Sequence, residues 1–284
     1  MTPPGRERSR SLGRSPLAVV VSAQPARFQA ATFKGDLQAN LARVAAMGYD
    51  GAELAIRDPA LVDAEALSDL LEAAGLSAPA IGTGQAWAEE GLSFADPDED
   101  VRRAAMARVG AQIQLGARLG SLIIIGLIRG TVSSGVEPAQ AHAWMVEALR
   151  ESARAADSRG VSLAVEPINR YETGLVNTVE EGRALLDEVG AANVGLLLDT
   201  FHMNIEEPSI EASIAAAGRR IFHFHVADSN RRHPGAGHLD FASILATLLD
   251  TGYRGFVSGE FLPYPDAATA AERAIQHLRG VGYP

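Results

Sequence analysis

Eight short apolar or β-branched runs recur along the chain, and a segment with helical spacing follows each one. The runs fall at 17–22, 51–55, 78–81, 121–125, 161–165, 194–198, 221–226 and 255–258. Each has the length and composition of a buried parallel strand. Between them, Leu37, Leu41, Val44 and Ala45 form one apolar helical stripe, and Leu67, Leu70, Leu71 and Ala74 form another. Further helical segments are expected at 101–119, 139–156, 179–189, 210–217, 241–249 and 267–278. Asp36, Asp63, Thr178, Ser209 and Asp240 stand where N-caps belong. Gly48, Gly75, Gly120, Gly160, Gly190 and Gly252 stand near the helix ends, where left-handed caps belong. Eight strand–helix units in about 270 residues suit an α/β chain closed into a single (β/α)8 barrel. A doubly wound sheet would want a glycine-rich phosphate loop after the first strand. Here that strand is followed by Ala23-Gln24-Pro25-Ala26-Arg27.

No linker divides the repeats, so residues 17–284 read as one catalytic domain. Residues 1–16 hold four Arg and one Glu among Pro, Ser and Gly. They bury almost nothing and are expected to be a disordered tail. The chain has 25 Lys and Arg against 35 Asp and Glu, a net charge of −10, and setting the tail aside leaves −13. That balance disfavours a nucleic-acid partner, which needs basic residues along a groove. The absence of cysteine excludes disulfides, thiol catalysis and cysteine-ligated metals. No apolar run approaches a membrane span, and the tail lacks a secretory apolar stretch, so a cytoplasmic protein with no membrane partner is expected.

In such barrels the chemistry sits at the C-terminal ends of the strands. Glu166 follows strand five, Asp199 strand six, and Glu260 comes just after strand eight, while His225 lies near the end of strand seven. The separations of 33, 26 and 35 residues are each about one strand–helix unit. Four successive strands can therefore deliver Glu, Asp, His and Glu to one rim. Carboxylates set against apolar strand cores are costly unless paired or bound to a cation. Three carboxylates and one imidazole form a hard, oxygen-rich donor set that suits Mn²⁺, Mg²⁺ or Co²⁺. The bland alternative is that each residue caps a loop or pairs with an arginine. Strand alternation puts His223 and His225 on one face and Phe222 and Phe224 on the other. The histidines should then look into the barrel, His223 as a hydrogen-bonded core residue, and both phenylalanines should pack on helices. Glu53 is expected either to touch substrate or to pair with Arg57. Trp87 reads as a sugar-stacking residue or as packing, and Arg232 with His233 as a solvated loop.

The segments Glu166-Pro167-Ile168-Asn169-Arg170-Tyr171-Glu172-Thr173, Leu198-Asp199-Thr200-Phe201-His202-Met203-Asn204, His225-Val226-Ala227-Asp228-Ser229-Asn230-Arg231 and Gly259-Glu260-Phe261 carry a resemblance. They resemble the D-tagatose/D-psicose (allulose) 3-epimerases of the xylose-isomerase-like barrel superfamily. The resemblance implies that Glu166, Asp199, His225 and Glu260 hold one divalent ion per chain, commonly Mn²⁺. It implies that Glu166 and Glu260 exchange the C3 proton from opposite faces of a free ketose, by way of an enediolate. It also implies that Glu172, His202 and Arg231 bind the C1–C2 end of the sugar, and that the chain forms a homo-oligomer, dimer or tetramer. The chain departs from the pattern at Leu262, where the resembling family carries an aromatic contact. Competing readings are a hydroxypyruvate isomerase-like or aldose–ketose isomerase on the same scaffold, an abasic-site endonuclease, and a non-catalytic sugar-binding protein.

Overall fold

The computed structural model describes residues 15–284, so the expected tail lies outside the described residues except for Ser15 and Pro16. Ser15 N–H donates to the Pro284 carbonyl at 2.7 Å, and the Pro16 carbonyl accepts from Val257 N–H at 3.1 Å. The eight apolar runs form strands β1 (Leu17–Ser22), β2 (Gly51–Ala55), β3 (Ala80–Gly82), β4 (Leu122–Ile125), β5 (Leu163–Val165), β6 (Val194–Asp199), β7 (Ile221–Val226) and β8 (Val257–Gly259). Every neighbouring pair is parallel, and β8 pairs with β1 to close the barrel.

The outer helices are α1 (Leu37–Ala46), α2 (Ala64–Ala74), α4 (Glu99–Leu119), α5 (Pro138–Asp157), α6 (Val179–Val189), α8 (Ile210–Ala217), α9 (Phe241–Asp250) and α10 (Ala267–Gly280), with α3 (Gly84–Glu90) and α7 (Thr200–Glu206) inserted after β3 and β6. The expected caps are in place: Asp36, Asp63, Ser209 and Asp240 each accept from a first-turn N–H, and Thr178 forms a reciprocal capping box with Glu181. α3 and α7, seven residues each, are too short to read from spacing. Both sit on the C-terminal face, where they carry side chains toward the rim.

Most of the apolar core lies between the sheet and the helices, with Val19, Val21, Ile123, Leu163, Leu196 and Leu198 among its strand residues. The opposite strand face supplies a smaller interior cluster of Ala80, Ile124, Ala164 and Leu197. Phe222 packs on this interior cluster, contrary to the expectation that both β7 phenylalanines face helices. The cause is an irregularity in pairing: Leu196 sits opposite Ile221, but Leu197 sits opposite His223, so Phe222 is skipped. A skipped residue breaks the two-residue alternation. Gly195 makes room for the ring, since a Cβ there would stand 2.2 Å from Phe222. Beyond the irregularity the alternation resumes, with Phe224 in the outer core and His225 opposite Asp199.

Candidate active site and metal centre

Glu166, Asp199, His225 and Glu260 meet at the C-terminal mouth of the barrel, each offering a ligand atom within 4.8 Å of the others. The first three are buried and Glu260 is half-buried. Three of these side chains leave an atom with no hydrogen-bond partner among the described residues: Glu166 Oε1, Asp199 Oδ2 and His225 Nδ1. Buried polar atoms in that state are costly and rare. One cation shared among them would satisfy all three, so the residues fit a divalent ion. The other Asp199 oxygen, Oδ1, accepts from Phe201 N–H at 2.8 Å and caps α7, which aims Oδ2 at the centre.

Glu53 orients the imidazole. It projects from β2 and is 2% exposed. Its Oε2 accepts from His223 Nε2 at 2.8 Å and from His225 Nε2 at 2.9 Å. The proton on His225 Nε2 is thereby fixed, and Nδ1 is left as the donor atom toward the carboxylates. With an ion bound at Nδ1, this pairing would form the carboxylate–histidine–metal pattern of oriented metal ligands. Arg57, the alternative partner for Glu53, instead pairs with Glu89 at 3.0 Å and Glu90 at 3.3 Å. His223 is the hydrogen-bonded core residue that alternation implied.

The titration of these groups follows from burial and charge. Burial, with Glu260 and Asp199 close by, raises the Glu166 carboxyl well above its ordinary range. Burial raises Asp199 as well. Burial also pushes Glu260 up to about 7, against the opposing charges of His225 and Arg231. For His225, burial opposes protonation, but the Glu53 carboxylate outweighs it and pushes the imidazole up to about 10. Glu53 shows the complement: burial would raise it, yet its two histidine partners hold it below the usual carboxylate range.

A second group of side chains faces the same centre. Arg231 donates through Nη1 to Glu172 Oε1 and through Nη2 to Glu260 Oε2, both at 3.1 Å. Its guanidinium lies 4.7 Å from the Phe201 ring centroid. Arg231 adopts a left-handed φ of 58° in a loop organised by buried Asp228, whose carboxylate accepts from Ser229, Gly235 and Leu239 N–H. His202, on α7, has Nε2 3.6 Å from Glu166 Oε1 and 3.9 Å from Asp199 Oδ2. Asn169 settles its tautomer. The Asn169 Oδ1 accepts from Tyr171 N–H, so its Nδ2 donates to Glu172 Oε1 at 2.9 Å and to His202 Nδ1 at 2.8 Å. His202 Nδ1 is therefore an acceptor and Nε2 carries the proton. Burial and then Arg231 hold its pKa well below the ordinary histidine value. Arg170 pairs with Glu206, which leaves Glu172 to the site.

The cavity above these groups is also lined by Val20, Phe28, Ala55, Thr83, Gln85 and Leu127. Trp87 and Leu262 are not among its lining residues, and the aromatic wall is Phe28, from the loop after β1. His233 is buried and bonded to the Pro234 carbonyl, so it does not form the solvated loop expected of it. Spacing gave no sign of Phe28, Gln85 or Asn169. A lone Glu in the otherwise apolar β2 was the one available signal for Glu53, because a buried carboxylate needs a partner.

Residues 41–281 match the family model of the xylose isomerase-like TIM barrel. The L-ribulose 3-epimerase of Methylomonas sp. (strain DH-1) is 36% identical over 226 residues, covering 78% of this chain and 76% of the relative. The D-psicose 3-epimerase of Ruminiclostridium cellulolyticum is 32% identical over 79% of this chain and 78% of its own length. Among solved structures, the Methylomonas D-allulose 3-epimerase in complex with D-allulose superposes with a TM-score of 0.80 at 27% identity, covering 94% of this chain and 97% of that one.

Proposed function

The chain belongs to the xylose isomerase-like TIM barrel family, and from that premise we propose that it is a metal-dependent ketose 3-epimerase of free sugars. Similarity to curated ketose 3-epimerases over more than three quarters of both chains supports the reaction class. The observation that carries the reading is the convergence of Glu166, Asp199, His225 and Glu260, with three orphaned ligand atoms, beside Glu172, His202 and Arg231.

Inverting C3 requires removal of a proton beside a carbonyl and its return on the other face. Negative charge then develops on O2. A divalent ion held by Glu166, Asp199, His225 and Glu260, with Mn²⁺ our assignment from the donor set, would supply Lewis-acid stabilisation of that charge. Arg231 places a fixed positive charge at the same end of the cavity, and His202 offers a neutral Nε2–H donor there. Glu172, anchored by Asn169 and Arg231, accepts hydrogen bonds from the sugar's hydroxyls. Glu166 and Glu260 exchange the C3 proton. They come from β5 and β8, which are not adjacent in the barrel, so the sugar can lie between them.

The test is incubation with Mn²⁺ and a panel of fructose, psicose, tagatose, sorbose, ribulose and xylulose. The expected products are the C3 epimers, with activity lost on EDTA treatment and restored by Mn²⁺. A protein that binds Mn²⁺ yet converts none of these ketoses contradicts the reading.

A further inference from the structure

The cavity has two unlike ends. One holds the metal-binding cluster with Glu172, His202 and Arg231. The other, built by the ends of β1 to β4 and the loops after them, is walled by Val20, Phe28, Ala55, Ala88, Ile124 and Leu127. Thr83 and Gln85 are the polar side chains at this second end. The Thr83 hydroxyl donates to the Ile124 carbonyl at 2.7 Å, so its proton is committed.

Gln85, in the first turn of α3, is 3% exposed. Its Nε2 lies 3.3 Å from Ser22 Oγ. The Ser22 hydroxyl donates to the Gln24 carbonyl at 2.7 Å, so toward Gln85 it can only accept. The amide is thereby oriented: the NH₂ faces Ser22 and the carbonyl faces away. That carbonyl, Oε1, is buried and has no donor among the described residues. A buried acceptor in the wall of a binding cavity is a demand for a donor from whatever the cavity takes in.

We propose that Gln85 Oε1 accepts a hydrogen bond from the C5 or C6 hydroxyl of a ketohexose, and that Gln85 thereby selects sugars hydroxylated at that end. The proposal rests on the ketose 3-epimerase reading of the site. The same wall sets a second limit. Arg231 is the one arginine or lysine among the described residues that line the cavity, and it is already shared between Glu172 and Glu260. Among the described residues no basic side chain lines the distal end to meet a phosphate, in keeping with the free-sugar reading above.

The experiment compares wild type with Gln85→Leu and Gln85→Met on a ketohexose, its 5-deoxy and 6-deoxy analogues, and its 6-phosphate, with Mn²⁺ affinity measured alongside. Wild type is expected to lose roughly tenfold to a hundredfold in kcat/KM on the analogue lacking the partnered hydroxyl, the range of one buried hydrogen bond. The variants should lose a similar factor on the parent sugar, chiefly through KM, and should treat parent and deoxy analogue within about threefold, with Mn²⁺ affinity unchanged. The 6-phosphate should turn over poorly with all three proteins. Equal turnover of parent and deoxy analogues by wild type overturns the proposal alone. So does a variant that folds, binds Mn²⁺ and keeps the parent's KM, and so does efficient turnover of the phosphate. If neither variant folds, the wild-type deoxy series still decides. A wild type that binds Mn²⁺ and is inert toward every ketose overturns the epimerase reading and this proposal with it.

Discussion

Glu53 accepts hydrogen bonds from both β7 histidines, so its loss leaves two buried imidazoles without an orienting partner. In Glu53→Gln an amide NH₂ replaces one of the two oxygens that face the His225 Nε2–H, and the carboxylate charge on the His225 imidazole is gone. Mn²⁺ affinity measured by calorimetry should fall by roughly tenfold to a hundredfold, the usual effect of removing such a support. Unchanged affinity would show that the pairing does not serve the metal. Glu260 has a different part in the proposed reaction, where it combines proton exchange with ligation. Glu260→Gln keeps the volume but removes the base, so kcat should drop by about 100-fold or more while circular dichroism stays that of wild type. Retention of full activity would refute the role. The four candidate ligands were legible because each stands at the C-terminal end of its strand, in phase with the repeat. Gln85, Phe28 and Asn169 were not, because Phe28 and Asn169 sit in loops and Gln85 in a helix of seven residues, where no periodicity is recorded.

Strand β7 shows where pattern reading breaks. Alternation placed His223 and His225 correctly, yet one pairing irregularity turned Phe222 inward, and only the absence of a side chain at Gly195 permits that packing. Gly195→Ala should push the ring off its seat and cost about 1–3 kcal/mol in urea unfolding, the range for overpacking. A neutral result would mean that the ring relocates freely. Caps were easier to read, since they depend on neighbours in sequence. Thr178 closes a reciprocal box with Glu181 at the start of α6. Thr178→Ala should therefore cost about 1 kcal/mol of stability with kcat unaltered. The short helices α3 and α7 escaped notice because neither is long enough to display a stripe. Yet they carry Gln85 and His202, two of the side chains that face the sugar cavity.

Closure of eight strands brings residues nearly a hundred positions apart to one point, and it concentrates ionisable groups that resist losing their protons. Folding therefore makes Glu166, Asp199, Glu260 and His225 hold their protons more tightly until a cation replaces them. Glu260 is raised to about 7 and His225 to about 10, so in the metal-free protein both bind protons more tightly than they would in the unfolded chain. Their stabilising contribution is lost as pH rises through those values, whereas a bound cation displaces the same protons. Below a given pKa, each displaced proton should weaken apparent metal affinity about tenfold per pH unit. The melting-temperature increase on adding Mn²⁺ should accordingly grow between pH 6 and pH 8, as seen by calorimetry. A shift independent of pH would exclude ligation by these groups. The central claim is that the two glutamates exchange the C3 proton of a ketose, and isotope exchange tests it most directly. Mn²⁺-loaded protein, incubated with a ketose in D₂O and followed by NMR, should place deuterium at C3 of both epimers as they equilibrate. Deuterium at C1 with none at C3 would instead mean transfer of the carbonyl between C1 and C2, and would contradict the account.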